Sequence, residues 1–386
     1  MPVPETILYL TETDVQKTMT VDQAVDLADK GIQADGAGQV VGDKFYMPVG
    51  DAGFIKPFSG YLAGEELAFV KTFSFFPGNP ERFGCGTTSS MVLLFDAETG
   101  LPVCLMEAGW VTALKTGAST AVTAARLARP DSATVTIFGA GTLGRMHLRA
   151  LVHRFDLRRA YVVDIVPQVA EAYASELGPE LGIPVESVPL GERERAVRAS
   201  QIVITVTTGN QALVKLAWLQ PGAFVARLGS YQEIALDVIT KADKVIVDNW
   251  HYVRPRIPEL ITLAQEERFG LENIHAEWPE VVAGRRPGRE SPDEVIVYIA
   301  LGIWGEYAAL LPQLFSVLRE YLPPGNERGQ ASVALPRGAT VADLIAQLGI
   351  TRRVHLVVIN DIQVENRQQS LQDGDSVKLF PAMIGG

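Results

Sequence analysis

Residues 134–164 constrain the fold more than any other stretch of the chain. Thr134 to Phe138 is an apolar, β-branched run that leads directly into Gly139-Ala140-Gly141-Thr142-Leu143-Gly144. A helical run follows, and Tyr161-Val162-Val163-Asp164 reads as a second strand ending in an acid. Strand, G-x-G-x-x-G, helix, strand and acid together specify a dinucleotide-binding βαβ unit, which glycines alone do not. Gly139 turns the chain off the strand, Gly141 lets the backbone approach a pyrophosphate, and Gly144 lets the helix pack close to the sheet. Thr142, Leu143 and Gly144 open that helix, whose first N–H groups suit phosphate oxygens. Asp164 lies 25 residues after Gly139, near the spacing of about 20 at which an acid binds ribose hydroxyls. A carboxylate there repels a 2′-phosphate, so the expected cofactor is NAD rather than NADP.

The remaining composition narrows the partners. The chain has 386 residues, is 47% hydrophobic and 20% charged, and carries a net charge of −11. That suits a globular protein of two or three domains. No dense Lys/Arg run exists, so no nucleic-acid partner is expected. The longest strongly apolar stretch, Val295 to Gly305, is shorter than the roughly 20 residues that span a bilayer. The start, Met1-Pro2-Val3-Pro4-Glu5, lacks the basic and apolar regions of a secretory signal. Two cysteines, Cys85 and Cys104, form no disulfide framework, and a cytoplasmic location is expected. His275-Ala276-Glu277 has no further ligands at zinc spacing, so no metal is expected.

Three regions and a tail unit follow from the pattern. Residues 1–128 mix short strands with a long helix over 109–128. The apolar run Met91–Asp96 turns through Glu98-Thr99-Gly100 into Val103–Leu105 as a hairpin. Residues 129–295 carry the nucleotide motif and apolar strands at 160–163, 202–206, 223–228 and 244–248, with helices between. That alternation implies a parallel, doubly wound α/β sheet. Residues 296–322 are mostly apolar and are expected to be helical and to pack back on the first region. Pro323 to Gln330 has linker composition. Residues 331–386 form a separate α+β unit, with a strand at 331–335, a capped helix at 340–348, a strand at 355–359, and a turn plus strand at 373–380.

The first 322 residues resemble the ornithine cyclodeaminase/μ-crystallin family. Val70-Lys71-Thr72-Phe73-Ser74-Phe75-Phe76-Pro77-Gly78-Asn79-Pro80 resembles its lysine strand and P-x-N-P loop. Phe95 to Pro102 resembles its hairpin, and Val111-Thr112-Ala113-Leu114-Lys115-Thr116-Gly117-Ala118 its T-A-x-R-T-x-A helix start. Gly139-Ala140-Gly141, Pro221-Gly222, Gly229-Ser230 and Val247-Asp248 follow in order. Residues 248–292 look closest to a siderophore-precursor branch of the same family. The resemblance implies an α+β substrate and dimerisation domain (1–128 with 296–322) joined to a Rossmann domain (129–295), usually as a homodimer. It implies NAD-linked oxidation of an amino acid, or reduction of an imine. The nicotinamide is expected between the domains beside Thr207, Thr208 and Gly209.

Within that resemblance Lys71 matches the active-site lysine. It orients the substrate carboxylate or, with a lowered pKa, transfers a proton. Lys115 stands where relatives carry arginine, and Lys44 similarly near a strand end. Lysine is a point charge and lacks arginine's planar fork, so substrate placement differs. Cyclodeaminases use an aspartate just after the Gly-Ser segment, whereas here Gly229-Ser230 continues into Tyr231-Gln232-Glu233. Tyr231 takes the position and Glu233 is the off-spaced substitute. An amino-acid dehydrogenase or imine reductase is therefore expected ahead of an ammonia-eliminating lyase or a non-catalytic nucleotide-binding scaffold.

The last 56 residues resemble the small sulfur carriers of molybdopterin and thiamine synthesis, which have a ubiquitin-like β-grasp fold. Thr340-Val341, Asp343-Leu344, Val357-Val358-Ile359-Asn360, Asp373-Gly374-Asp375 and the terminal Gly385-Gly386 carry the likeness. A Gly-Gly tail is narrow and flexible enough to enter an activating enzyme's channel. The resemblance implies thiocarboxylate formation at Gly386 and an E1-like activating partner.

Overall fold

The computed structural model describes residues 7–302, 305–320, 334–336, 338–347, 354–360, 362–364, 366–375 and 377–381. Seven N-terminal strands form one sheet: β1 (Leu8–Leu10), β2 (Val40–Lys44), β3 (Met47–Val49), β4 (Gly53–Leu62), β5 (Leu67–Phe75), β6 (Thr88–Asp96) and β7 (Pro102–Glu107). Their order is β1-β7-β6-β5-β4-β2, with β3 also on β4. Every pairing except β1 with β7 is antiparallel. Side chains alternate faces along a strand, so Leu67, Phe69 and Lys71 of β5 all point inward and are buried. The helix Val21–Gly36 starts with a capping box, Thr20 bonding reciprocally with Gln23. It packs against the helices Gly109–Leu127 and Gly305–Glu320, and the latter also lies on β4 and β5.

The second sheet has eight strands: β8 (Thr134–Phe138), β9 (Arg159–Val163), β10 (Val185–Ser187), β11 (Ile202–Thr205), β12 (Phe224–Arg227), β13 (Lys244–Val247), β14 (Ala276–Glu277) and β15 (Ile296–Ile299). The order is β10-β9-β8-β11-β12-β15-β13-β14, and all pairings are parallel. Residues of β11, β12, β13 and β15 are buried throughout, as strands covered on both faces must be. The chain reverses direction from β8 between β9 and β11, which makes the topological switch point at which open α/β sheets bind ligands.

One expectation is corrected here. Residues 296–322 are not helical from their start, because Ile296–Ile299 is β15 and inserts between β12 and β13. A short continuous apolar run has no helical or strand period of its own, so four buried residues in a row fit either element. The helix begins at Gly305.

The C-terminal unit contains a helix Val341–Gln347 and strands β16 (Val354–Ile359), β17 (Ile362–Val364) and β18 (Val377–Pro381), ordered β17-β16-β18 and antiparallel. Thr340 and Asp343 form the helix cap, with the Thr340 N–H donating to Asp343 Oδ2 at 2.8 Å. Val341, Val357 and Ile359 form its small core. Residues 334–336 are not a strand, and the rest of the strand expected at 331–335 lies outside the described residues. So do the linker 323–330 and the Gly385-Gly386 tail.

Candidate active site

Strand register assembles a row of lysines. Lys44 pairs with Phe58 across β2 and β4, and Phe58 pairs with Lys71 across β4 and β5. Paired residues share a face. Lys56 is two residues from Phe58 and pairs with Phe73, so it joins the same face. Lys44, Lys56, Phe58, Lys71 and Phe73 thus stand together. Lys115 approaches from the helix Gly109–Leu127, and Tyr307 from the helix that returns after β15. The Lys71 Nζ donates to the Tyr307 hydroxyl at 2.5 Å, and the Tyr307 ring lies 4.5 Å from Lys71 Nζ and 4.9 Å from Lys115 Nζ. Lys71 is 1% exposed and Lys115 4%.

Burial and crowding set the charges. Removing an ammonium from water penalises its charged form, and neighbouring cations add to that. The Lys71 pKa is therefore lowered well below the ordinary lysine value, first by burial and then by Lys115, Lys56 and Lys44. Lys56 is lowered to about 8 by burial and by Arg256. The one carboxylate named against this group is Asp248. It accepts from Leu301 N and Asn249 N, each at 2.7 Å. Burial raises its pKa while Lys44 opposes the rise. Lys44 donates to the Gly302 carbonyl, and Gly302 adopts φ +90°, with Lys115 Nζ 3.0 Å from where a Cβ would stand. The lysine cluster is thereby tied to the carboxyl ends of β13 and β15.

The nucleotide motif lies at the same edge of the parallel sheet. Gly139 has φ +104°, and a Cβ there would stand 2.7 Å from the Val206 carbonyl; only glycine fits. A Cβ on Gly141 would meet nothing within 4 Å, so this turn is open to a phosphate group. Gly141 caps the helix Thr142–Leu151 without a side chain, leaving the first-turn amides of Thr142, Leu143 and Gly144 at the mouth of the turn. Asp164 follows β9, and its Oδ2 accepts from Ala140 N at 2.8 Å. The acid therefore sits beside the glycine turn, where a ribose follows a pyrophosphate. These residues fit a dinucleotide.

Glu233 does a different job from the one its sequence position suggested. It is fully buried and accepts four hydrogen bonds: Thr205 Oγ1 at 2.8 Å, Thr207 N at 2.6 Å, Thr207 Oγ1 at 2.9 Å and Gly229 N at 2.8 Å. It clamps the turns after β11 and β12 together and is not a free carboxylate in the site. Thr207 is committed to this clamp, whereas Thr208 is exposed and Gly209 partly so. Glu259 completes the network. It pairs with buried Arg227 at 3.0 Å and accepts from Glu233 N and Ile234 N. The Tyr231 ring faces Phe75 of β5 at 6.4 Å, which joins the two sheets' edges.

Of the sequence candidates, Lys44, Lys71 and Lys115 converge, and Gly139, Gly141, Gly144, Asp164 and Thr207 converge on the adjoining sheet edge. Lys56, Tyr252, Arg256 and Tyr307 were missed. Lys56 was accessible from period-two spacing, since it stands two residues before Phe58. Tyr307 had no local signal, because its place depends on where the returning helix docks.

Among solved structures, a Thermococcus litoralis Δ1-pyrroline-2-carboxylate reductase in complex with NADH and L-proline superposes with TM-score 0.77, at 29% identity over 82% of this chain and 98% of that one. An archaeal alanine dehydrogenase dimer with bound NAD gives TM-score 0.75, at 26% identity over 82% and 97%. The N-((2S)-2-amino-2-carboxyethyl)-L-glutamate dehydrogenase of Staphylococcus aureus is 30% identical over 251 residues, 63% of this chain and 72% of that protein. The ThiS family model matches residues 313–386, the segment that carries the sulfur-carrier likeness. The ornithine cyclodeaminase/mu-crystallin family model matches residues 5–315, most of the chain, and the protein belongs to that family.

Proposed function

We propose that this chain is an NAD-dependent oxidoreductase that oxidises the amino carbon of an amino acid or reduces the corresponding imine. The observation that carries this reading is the junction of two sites: the buried lysine cluster meets the parallel sheet's carboxyl edge through Gly302 and Asp248. NAD, when bound across Gly139–Gly144 and Asp164, takes the hydride from the substrate α-carbon. Lys115 and Lys44 hold the substrate carboxylate. Lys71, poised toward its free base, takes the proton from the substrate ammonium, which frees the nitrogen lone pair to form the C=N bond. Phe58, Phe73 and Tyr307 keep water from the reacting atoms, and a drier site strengthens each ionic contact.

The working division is a substrate domain of residues 1–128 closed by the helix Gly305–Glu320, a Rossmann domain from 129 through β15, and a carrier unit from 331. A homodimer is supported by the dimeric archaeal relative and by the apolar side chains that β2, β3 and their turn expose: Val41, Phe45, Tyr46, Met47 and Val49. The free cysteines Cys85 and Cys104 suit the cytoplasm, and no described helix is long and apolar enough to cross a membrane. The ThiS match supports a carrier whose Gly385-Gly386 tail is adenylated by an E1-like enzyme.

Titration of the full chain with NADH and NADPH, followed by nucleotide fluorescence, tests the cofactor. NADH should bind at least about tenfold more tightly, and Asp164→Ala should narrow that ratio, since a charged hydrogen bond is worth roughly 1.5–3 kcal/mol. Equal affinities overturn the choice of NAD, and no NADH binding overturns the redox reading.

A further inference from the structure

We infer a second anion subsite, formed by Lys56, Arg256 and Tyr252, that takes a carboxylate on the substrate's side chain and so makes the substrate an amino dicarboxylate. The inference deepens the oxidoreductase reading and rests on it for the position of the α-carboxylate.

Three cations surround one ring. The Tyr252 ring centroid lies 4.2 Å from Arg256 Cζ, 4.7 Å from Lys44 Nζ and 5.8 Å from Lys56 Nζ. Tyr252 and Arg256 come from the segment after β13, whereas Lys56 and Lys44 come from the first sheet, so the group bridges the two. Among the described residues, Lys56 and Arg256 form no ion pair with a carboxylate. The hydrogen bond found for the Arg256 guanidinium runs to its neighbour's backbone, Nη1 donating to Tyr252 O at 2.8 Å. The Tyr252 hydroxyl is buried and lacks a hydrogen-bond partner among the described residues. A buried polar atom is normally paired, and like charges held close at reduced dielectric repel. An anion between these groups resolves both conditions at once.

The α-carboxylate does not account for them. Lys71 and Lys115 already flank Tyr307, and Lys44 reaches the same side through Gly302. Lys56 stands one pair further along the strands, opposite Phe73, and next to it lies Arg256. The site therefore has two cationic ends, and Asp248, the acid facing both Lys44 and Lys56, offsets one charge among five. A neutral side chain would leave the outer pair of cations and the hydroxyl unanswered. A side-chain carboxylate accepts from all three, and a fork-shaped guanidinium with an ammonium suits its two oxygens.

The test uses the full chain saturated with NADH, with ligand affinity read by thermal shift and calorimetry. The probes are L-aspartate, L-glutamate and L-2-aminoadipate, each against its side-chain amide, with O-phospho-L-serine alongside. At least one dicarboxylate should bind tenfold or more tightly than its amide. Lys56→Met and Arg256→Met should each remove most of that preference while changing the amide's affinity less than threefold, and Lys56→Arg should keep it. Tyr252→Phe should reduce it by several fold. No acid-over-amide preference in any pair, or a Lys56→Met loss equal for acid and amide, overturns the subsite. Tighter binding of O-phospho-L-serine than of every dicarboxylate overturns the carboxylate and assigns a phosphate. Acid preference without NAD reduction overturns the redox reading and leaves the subsite standing.

Discussion

Lys71 occupies a slot that alternation reserves for a core side chain, between the inward positions of Phe69 and Phe73 on β5. Its ammonium is desolvated and crowded by Lys115, Lys56 and Lys44, which lowers its pKa. The unfolded chain, with an ordinary lysine, binds more protons than the folded one between the two values. Stability contributed at this position therefore rises with pH through that window and levels off above about 10.5. Lys71→Met should remove the slope and raise stability at pH 7, as judged by urea unfolding at pH 7 and 9. The same change should lower kcat/KM by about 10²–10⁴, the usual worth of a positioned acid–base group. Destabilised variants with intact turnover would contradict both expectations. The lysine strand was legible because its residues are local. Tyr307, which fixes Lys71, was not, because 236 residues separate the pair.

At the scale of elements, the turns after β11 and β12 are held by one carboxylate. Both Glu233 oxygens accept a backbone N–H and a hydroxyl, or in one case share them: Thr207 N with Thr207 Oγ1, and Gly229 N with Thr205 Oγ1. In Glu233→Gln, either amide orientation turns an NH2 toward a backbone N–H. The mismatch should cost about 1–3 kcal/mol of stability and weaken NADH binding, while leaving the pKa-lowered lysines in place. Thermal unfolding and NADH titration check this, and unchanged values for both would show that the turns need no clamp. The nucleotide βαβ unit was legible because strand, turn, helix and acid lie within 31 residues of sequence. The position of β15 was not. Its partners β12 and β13 are chosen by sheet closure, and four buried apolar residues declare neither period nor neighbour. Glu233 was misjudged for a related reason: spacing from Gly229 suggested a reactive acid, while the folded turn points it inward.

The whole molecule joins a redox enzyme to a carrier unit with its own small core of Val341, Val357 and Ile359. A tether raises the carrier's local concentration near its partner without requiring a shared site. Deleting Gly385 and Gly386 should leave amino-acid-dependent NAD reduction within twofold while abolishing ATP–pyrophosphate exchange with an E1-like enzyme. Exchange that survives the deletion would remove the tail from the account. Hydride transfer itself is the most direct test of the central claim. The full chain is incubated with NAD and a pool of L-amino acids deuterated at the α-carbon, aspartate and glutamate included, and the nucleotide is analysed by mass spectrometry. Singly deuterated NADH should form with the native chain and fall at least about a hundredfold with Lys71→Met. No deuterium on the nucleotide, or equal labelling by the Lys71→Met chain, would contradict a lysine-centred, NAD-dependent oxidation of an amino carbon.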